Sequence, residues 1–189
     1  MLTLGLVLLF FVNISFGSIT IPFKDIYTSL TGGQASKSTW EYIIINYRLP
    51  KAITAILVGM GLSISGLLMQ TLFRNPLAGP YVLGLSSGAS LGVAFVLLGA
   101  SLLPPFLSTL LLSSYGVVLA STIGSSVVLL AVLMVSQKLR DTMAILIVGL
   151  MFGSFTSAIV GVLTYFSSAE QLQKFTFWSM GNLGNLSWS

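Results

Sequence analysis

The chain of 189 residues contains no cysteine and no histidine. It therefore has no disulfide framework, and zinc, haem and Cys/His chemistry find no ligands or bases in it. Charge is nearly as scarce. Asp, Glu, Lys and Arg together make up 6% of the residues, against about 25% in a water-soluble domain. No soluble surface can be assembled from such a composition, so the expected solvent is lipid. The net charge of +4 is scattered and lacks the basic cluster of a nucleic-acid binder, so no nucleic-acid partner is expected. No Asp, Glu, Lys, Arg or His lies between Asn75 and Gln137. Burying a charge in a bilayer costs at least about 2.5–3.5 kcal/mol, so retained ones usually mark ion or proton routes. Here the most polar residue within a span is Gln70, followed by Asn13. A Walker A sequence is also missing, so energy for uphill movement of a solute would enter through a partner. Serine is plentiful, but it has no histidine as base, and Asp141 and Glu170 stand apart at span ends. The nucleophile-plus-base constellation of an enzyme is absent. No catalytic residue, metal site or cofactor is expected in this chain.

What is present is apolar and segmented. Five runs stand out: Leu2–Phe16, Ala52–Phe73, Gly88–Leu103, Tyr115–Val135 and Thr142–Phe166. Three reach the ~20 residues that a spanning helix needs. The first is slightly short. Its opening resembles a signal peptide but lacks a basic n-region and a small-residue cleavage site, so it reads as a first span. Pro104–Pro105 stops the third run. Unpaired strands would strand their backbone groups in lipid, so helices are the default. The expected fold is an all-α polytopic membrane helix bundle, with about five transmembrane helices and short interfacial helices, forming one transmembrane domain over residues 1–189.

The polar interval Gly17–Lys51 reads as structured. Thr20 and Pro22 mark a helix start and Gly32–Gly33 a stop. Ser38 with Glu41 matches a capping box before a short aromatic segment, Trp40–Tyr47. Pro50 then launches the second span, where a first-turn proline is tolerated. Ser167 with Glu170 matches a second capping box, opening an amphipathic helix that runs to Trp178 and ends at Gly181 and Gly184.

Small residues recur at helical spacing in three spans. Gly59, Ser63, Gly66 and Gln70 share one face of the second. Gly84, Gly88 and Gly92 sit four apart in the third. Gly149, Gly153, Ser157 and Gly161 do so in the fifth. Such rows let helix backbones approach closely in lipid. Bundle packing accounts for each row singly; the functional alternative is that some line a pathway.

One stretch goes further. Arg48-Leu-Pro-Lys51, then Val58-Gly-Met-Gly-Leu-Ser-Ile-Ser-Gly66, then Gln70-Thr-Leu-Phe-Arg-Asn-Pro-Leu-Ala78, then Leu83-Gly-Leu-Ser-Ser-Gly88 follow in order. Jointly they resemble the FecCD/BtuC-like permeases of bacterial ABC importers, which take up iron-siderophores, haem and cobalamin. Weaker agreement includes Gly17, Arg140-Asp-Thr142 and Trp178-Ser-Met-Gly181. The resemblance implies a multi-pass permease subunit of the bacterial cytoplasmic (inner) membrane, about ten helices long and working by alternating access. It implies a second permease copy, two cytoplasmic ATPase subunits and an external substrate-binding protein as partners. This chain corresponds to roughly the N-terminal half, with the ATPase-coupling helix and later gate helices expected beyond Ser189.

Carried over by position, Arg48 and Lys51 match basic residues that dock the acidic binding protein; the plainer alternative is an interfacial anchor. Asn75, Pro76, Ala78 and Pro80 fall in the turn after the second span and read as architectural. Arg140, Asp141 and Thr142 match a cytoplasmic gate region, with Thr142 as gate candidate; the plainer alternative is a helix start beside a capping Asp141. Gly149, Gly153 and Ser157 would present a small, uncharged pathway face. The implied topology puts Gly17–Lys51 outside, with Lys24, Lys37, Arg48, Lys51 and Lys174 on that side and only Arg74, Lys138 and Arg140 inside. A bare positive-inside count favours the reverse. The competing readings are a non-transporting membrane scaffold and, against the missing intramembrane charges, an ion-coupled secondary transporter.

Overall fold

A computed structural model describes the chain apart from residues 100–103, 140, 184, 185, 187 and 189, and apart from the side chains of residues 105, 107 and 109. Every regular element among the described residues is helical. In order they are α1 (Leu2–Ser15), α2 (Phe23–Leu30), α3 (Ser38–Ile43), a π-helical turn (Ile44–Arg48), α4 (Leu49–Phe73), a 3-10 turn (Pro80–Leu83), α5 (Leu85–Leu97), α6 (Pro105–Leu111), α7 (Ser114–Ser136), α8 (Thr142–Tyr165) and α9 (Ala169–Ser179). Three helical stretches are long and apolar enough to cross a membrane: Ser38–Phe73, Ser114–Ser136 and Thr142–Tyr165. α1 and α5 are apolar but shorter. The expected end of the third run and the expectations at Arg140 and Gly184 lie outside the described residues.

The chain packs as two compact units. The first comprises Met1–Gly61 and Asn182–Ser189. Its core is Ile14, Ile21, Ile26, Ile44 and Ala52, with Trp40 and Leu49 packed against it. Asp25, only 5% exposed, lies in this unit. Its carboxylate accepts bonds from the Ser36 amide at 2.7 Å and the Ser36 hydroxyl at 2.6 Å. Those two donors hold its pKa below the ordinary aspartate value. They also bind the loop after α2 back onto that helix.

The second span differs from expectation in its start. α3, the π-turn and α4 form one continuous helical stretch, so Pro50 does not open a helix. Proline has no N–H and its ring clashes with the carbonyl a turn earlier. The helix widens just before it: the Leu49 amide bonds to the Ile44 carbonyl, five residues back. In that register Pro50 would have donated to Ile45. The Ile45 carbonyl instead accepts from the Trp188 indole at 2.7 Å, which satisfies a group the proline leaves unpaired.

Two capping expectations also change. α3 begins after Lys37 with no side-chain cap, so Ser38 and Glu41 form no capping box. The box before α9 is present one residue later, as Ser168 with Gln171. There Glu170 instead pairs with Lys174 at 2.8 Å, which lowers its pKa.

The second unit, Leu62–Gly181, is organised around α5. This helix packs against α7, α8 and α9. One buried cluster joins Phe73, Ala78, Leu83, Val128 and Val132. Another joins Val93, Ala94, Leu97, Leu98 and Phe175, which docks α9.

Candidate functional site

In the first unit, residues at the end of α1 and in the π-turn enclose a recess of about 330 Å³, lined by Asn13, Phe16, Tyr47, Arg48 and Lys51 among others. Arg48 and Lys51 share its rim but face different surroundings. One guanidinium nitrogen of Arg48, Nη1, donates to the carbonyls of Ile14 at 2.6 Å and Ser15 at 2.8 Å. The other, Nη2, donates to the Ile19 carbonyl. Ile14 and Ser15 close α1, where the last carbonyls have no helical partner and a cation complements the dipole. Gly17 makes room for this arrangement: a Cβ there would stand 2.8 Å from Nη2. Lys51 is exposed and takes no part in the one ion pair among the described residues.

The turn after α4 is closely specified. Arg74 adopts φ 47°, in the left-handed region. The amides of Arg74 and Asn75 bond back to Thr71 and Gln70, a Schellman closure that satisfies terminal carbonyls. The Asn75 side chain accepts from the Leu77 amide at 2.9 Å, and the Ala78 amide donates to the Asn75 carbonyl at 3.1 Å. Gln70 belongs to this turn as well: its amide donates to the Pro76 carbonyl at 3.0 Å. Ala78 is buried, and Pro80 opens the 3-10 turn that Gly84 ends at φ 75°.

Gly84, Gly88 and Gly92 lie where α5 touches its neighbours. A Cβ on Gly88 would lie 2.7 Å from the Gly124 carbonyl of α7, and one on Gly84 would lie 2.8 Å from the Gly149 carbonyl of α8. A Cβ on Gly92 would collide with the Ala120 carbonyl, and one on Gly124 with that of Gly88. The α7 side of this contact was not anticipated, although Gly116, Ala120 and Gly124 recur every four residues. By contrast, a Cβ at Gly59, Gly61 or Gly66 on α4 meets nothing within 4 Å among the described residues. Ser63 lies between them on the same exposed stretch of α4.

The row on α8 divides. Gly149 and Gly153 are buried, with Gly149 against the backbone of Val82 and Leu83, while Ser157 is exposed. Above these glycines runs an open groove of about 630 Å³, to which Tyr81, Ser87, Ser154 and Ser157 contribute hydroxyls. Thr142 is the first residue of α8. Asp141 caps this helix by accepting from the Met143 amide at 3.1 Å. Among the described residues no cluster of acidic groups could hold a metal ion.

Comparison with known proteins gives the same answer at the level of sequence and of fold. The haemin transport system permease HmuU of Yersinia pestis is 37% identical over 194 residues, covering 100% of this chain and 55% of the relative. The vitamin B12 import system permease BtuC of Escherichia coli O17:K52:H18 is 34% identical over 160 residues, covering 84% of this chain and 46% of the relative. A solved metal-chelate type ABC transporter in an inward-facing conformation superposes with a TM-score of 0.79 at 27% identity, over 99% of this chain and 54% of that one. The chain thus spans about half the length of the relatives it matches. With the FecCD transport family profile matching residues 5–189 and these motifs built into one helical fold, the chain belongs to the FecCD transport family.

Proposed function

We propose that this chain forms part of a permease subunit of an ATP-driven importer in the bacterial inner membrane. The cargo class is a metal chelate or related large ring: haem, cobalamin or an iron-siderophore. The observation that carries the reading is the family match over residues 5–189 together with the shared fold. Two chemical features support it. The described residues offer no charged intramembrane site to couple ions, which favours energy from separate ATPase subunits. The hydroxyl-bearing groove over Gly149 and Gly153 is uncharged, which suits a bulky cargo passed along a smooth wall rather than gripped. In this reading Ser154 and Ser157 face the pathway, Thr142 stands at its cytoplasmic gate, and a second permease copy completes it. The recess at Arg48 and Lys51 faces outward and meets an acidic binding protein, where rim charges steer encounter.

The test is uptake by the full-length gene in a permease-deleted host. Labelled haem, cobalamin and iron-siderophore would be supplied in competition. Restored uptake of one class, with an ATPase co-purifying, is expected. No uptake and no ATPase overturns the reading. Orientation is tested separately: a Lys37→Cys variant should react with an impermeant maleimide in intact cells. Reaction only after permeabilisation would invert the topology.

A further inference from the structure

We infer that Tyr81 is a specificity-determining residue of the groove over Gly149 and Gly153, and that the cargo it selects is a flat, π-conjugated chelate of the haem type. The inference rests on the pathway reading above and narrows its cargo class. Apart from Tyr81 and Leu150, every residue lining the groove is glycine, alanine or serine. Such a wall offers backbone and hydroxyls but little side-chain area for contact. Tyr81 brings the only aromatic ring among the described lining residues, and it is 64% exposed.

That ring has a defined seat. It lies over Gly79, where an added Cβ would collide with Cε1 of the tyrosine and stand 2.9 Å from Cδ1. Gly79 has φ −129°, which any residue adopts, so what the glycine supplies is room for the ring. The 3-10 turn that carries Tyr81 is itself anchored. Leu83 is buried with Phe73 and Val128, and Gly149 of α8 lies against the backbone of Val82 and Leu83. A ring on so fixed a turn loses little freedom when a partner settles on it. Offset stacking adds to simple area burial when the partner also presents a flat π-face. Haem offers two open faces. Cobalamin carries axial ligands on both faces of its corrin, and a ferric siderophore wraps its iron in oxygen ligands without a broad flat face.

The experiment places the full-length permease and its ATPase subunits in lipid nanodiscs, without the binding protein, so that selectivity reports the pathway alone. Zinc protoporphyrin, a flat and fluorescent chelate, is titrated in with empty nanodiscs subtracted. Cyanocobalamin and a ferric trihydroxamate serve as competitors. Saturable porphyrin binding is expected, with neither competitor displacing it at equal concentration. Tyr81→Leu keeps an apolar side chain but removes the π-face, and should weaken porphyrin binding roughly two- to tenfold. Tyr81→Phe should bind as the wild type does. Gly79→Ala leaves Tyr81 in the chain but takes the space its ring occupies, and should weaken binding by a smaller factor. This variant decides the matter should Tyr81→Leu fail to assemble. Unchanged porphyrin affinity in both Tyr81→Leu and Gly79→Ala overturns the role of the ring. An equal loss in Tyr81→Phe and Tyr81→Leu assigns the contact to the hydroxyl and overturns stacking. Displacement by either competitor at equal concentration overturns selection for flat chelates. Uptake by the full-length gene separates the two levels. Restored cobalamin or siderophore uptake without haem uptake overturns this inference and leaves the permease reading standing. No uptake of any chelate overturns both.

Discussion

In the first unit, polar side chains reach out to backbone. Arg48 gathers three carbonyls, Asp25 gathers the Ser36 amide and hydroxyl, Ser15 bonds Ile21, and Trp188 bonds Ile45. In the second unit, backbone meets backbone directly. Gly84, Gly88, Gly92, Gly124 and Gly149 bring α5 and the turn before it against α7 and α8, and at all five an added methyl group would meet a backbone carbonyl oxygen too closely to fit. The difference follows from surroundings. A loop segment beside polar lipid headgroups and water must satisfy every turn carbonyl with some donor. A helix in hydrocarbon has already satisfied its own, and only close packing is left to drive association. One unit should therefore respond to charge and pH, the other to volume.

The largest break in that contrast is Gly124→Ala. The added methyl would strike the Gly88 carbonyl, which is backbone and cannot swing away. A loss of about 1–3 kcal/mol is expected, the usual cost of overpacking. Thermal unfolding of the purified full-length permease measures it. An unchanged Tm would mean that the α5–α7 contact is looser than these distances require.

Next comes Asp25, which tests the charge side. Its folded pKa lies below the ordinary aspartate value because Ser36 bonds the ionised form. The carboxylate therefore contributes stability above its unfolded pKa, and that contribution is lost as pH falls through the folded value. Hydrogen exchange over residues 31–37 should rise on acidification, beyond the intrinsic effect of pH on exchange. Asp25→Asn should show raised exchange at neutral pH and a flat response to acid. Exchange across α5 and α7, whose contact has no titratable partner, should not follow the same curve.

How much of this was legible in the sequence varies with the range of the forces involved. The turn at Asn75–Ala78 was readable because its chemistry is local: Asn75 bonds two residues on and Pro76 fixes its own φ. The helices were readable because hydropathy is summed along the chain: the first, fourth and fifth runs match α1, α7 and α8 within one residue at each end, whereas the second belongs to a helical stretch that begins at Ser38. The capping boxes were not, because serines stand side by side at 167 and 168 and either can serve. The π-turn escaped because Pro50 has two solutions, a new helix or a widened one, and Trp188 favours the second from 143 residues away. Arg48 was recognised as important, but a motif cannot say where a guanidinium points. That depends on the chain reversal at Gly17 and on carbonyls 29 to 34 residues earlier.

A smaller effect is expected at Arg74, at the close of α4. Its φ of 47° is a left-handed conformation in which a side chain costs about 1–2 kcal/mol and glycine costs nothing. Arg74→Gly should raise unfolding stability by about 1 kcal/mol. A fall would show that the arginine side chain makes up for the strain through contacts with headgroups or a partner.

The smallest expected effect is the most telling about the contrast, because it repeats the first substitution in the opposite setting. Gly66 lies on α4, where an added Cβ meets nothing within 4 Å among the described residues. Gly66→Ala should then keep only the helix-propensity gain, a stabilisation of about 0.5–1 kcal/mol. Identical methyl groups at 66 and 124 would carry opposite signs, separating a glycine that packs from one that does not. A loss at Gly66 comparable to that at Gly124 would mean that the α4 row is covered in the assembled permease. The row would then belong with the backbone contacts of α5, and the division between the two kinds of glycine would disappear.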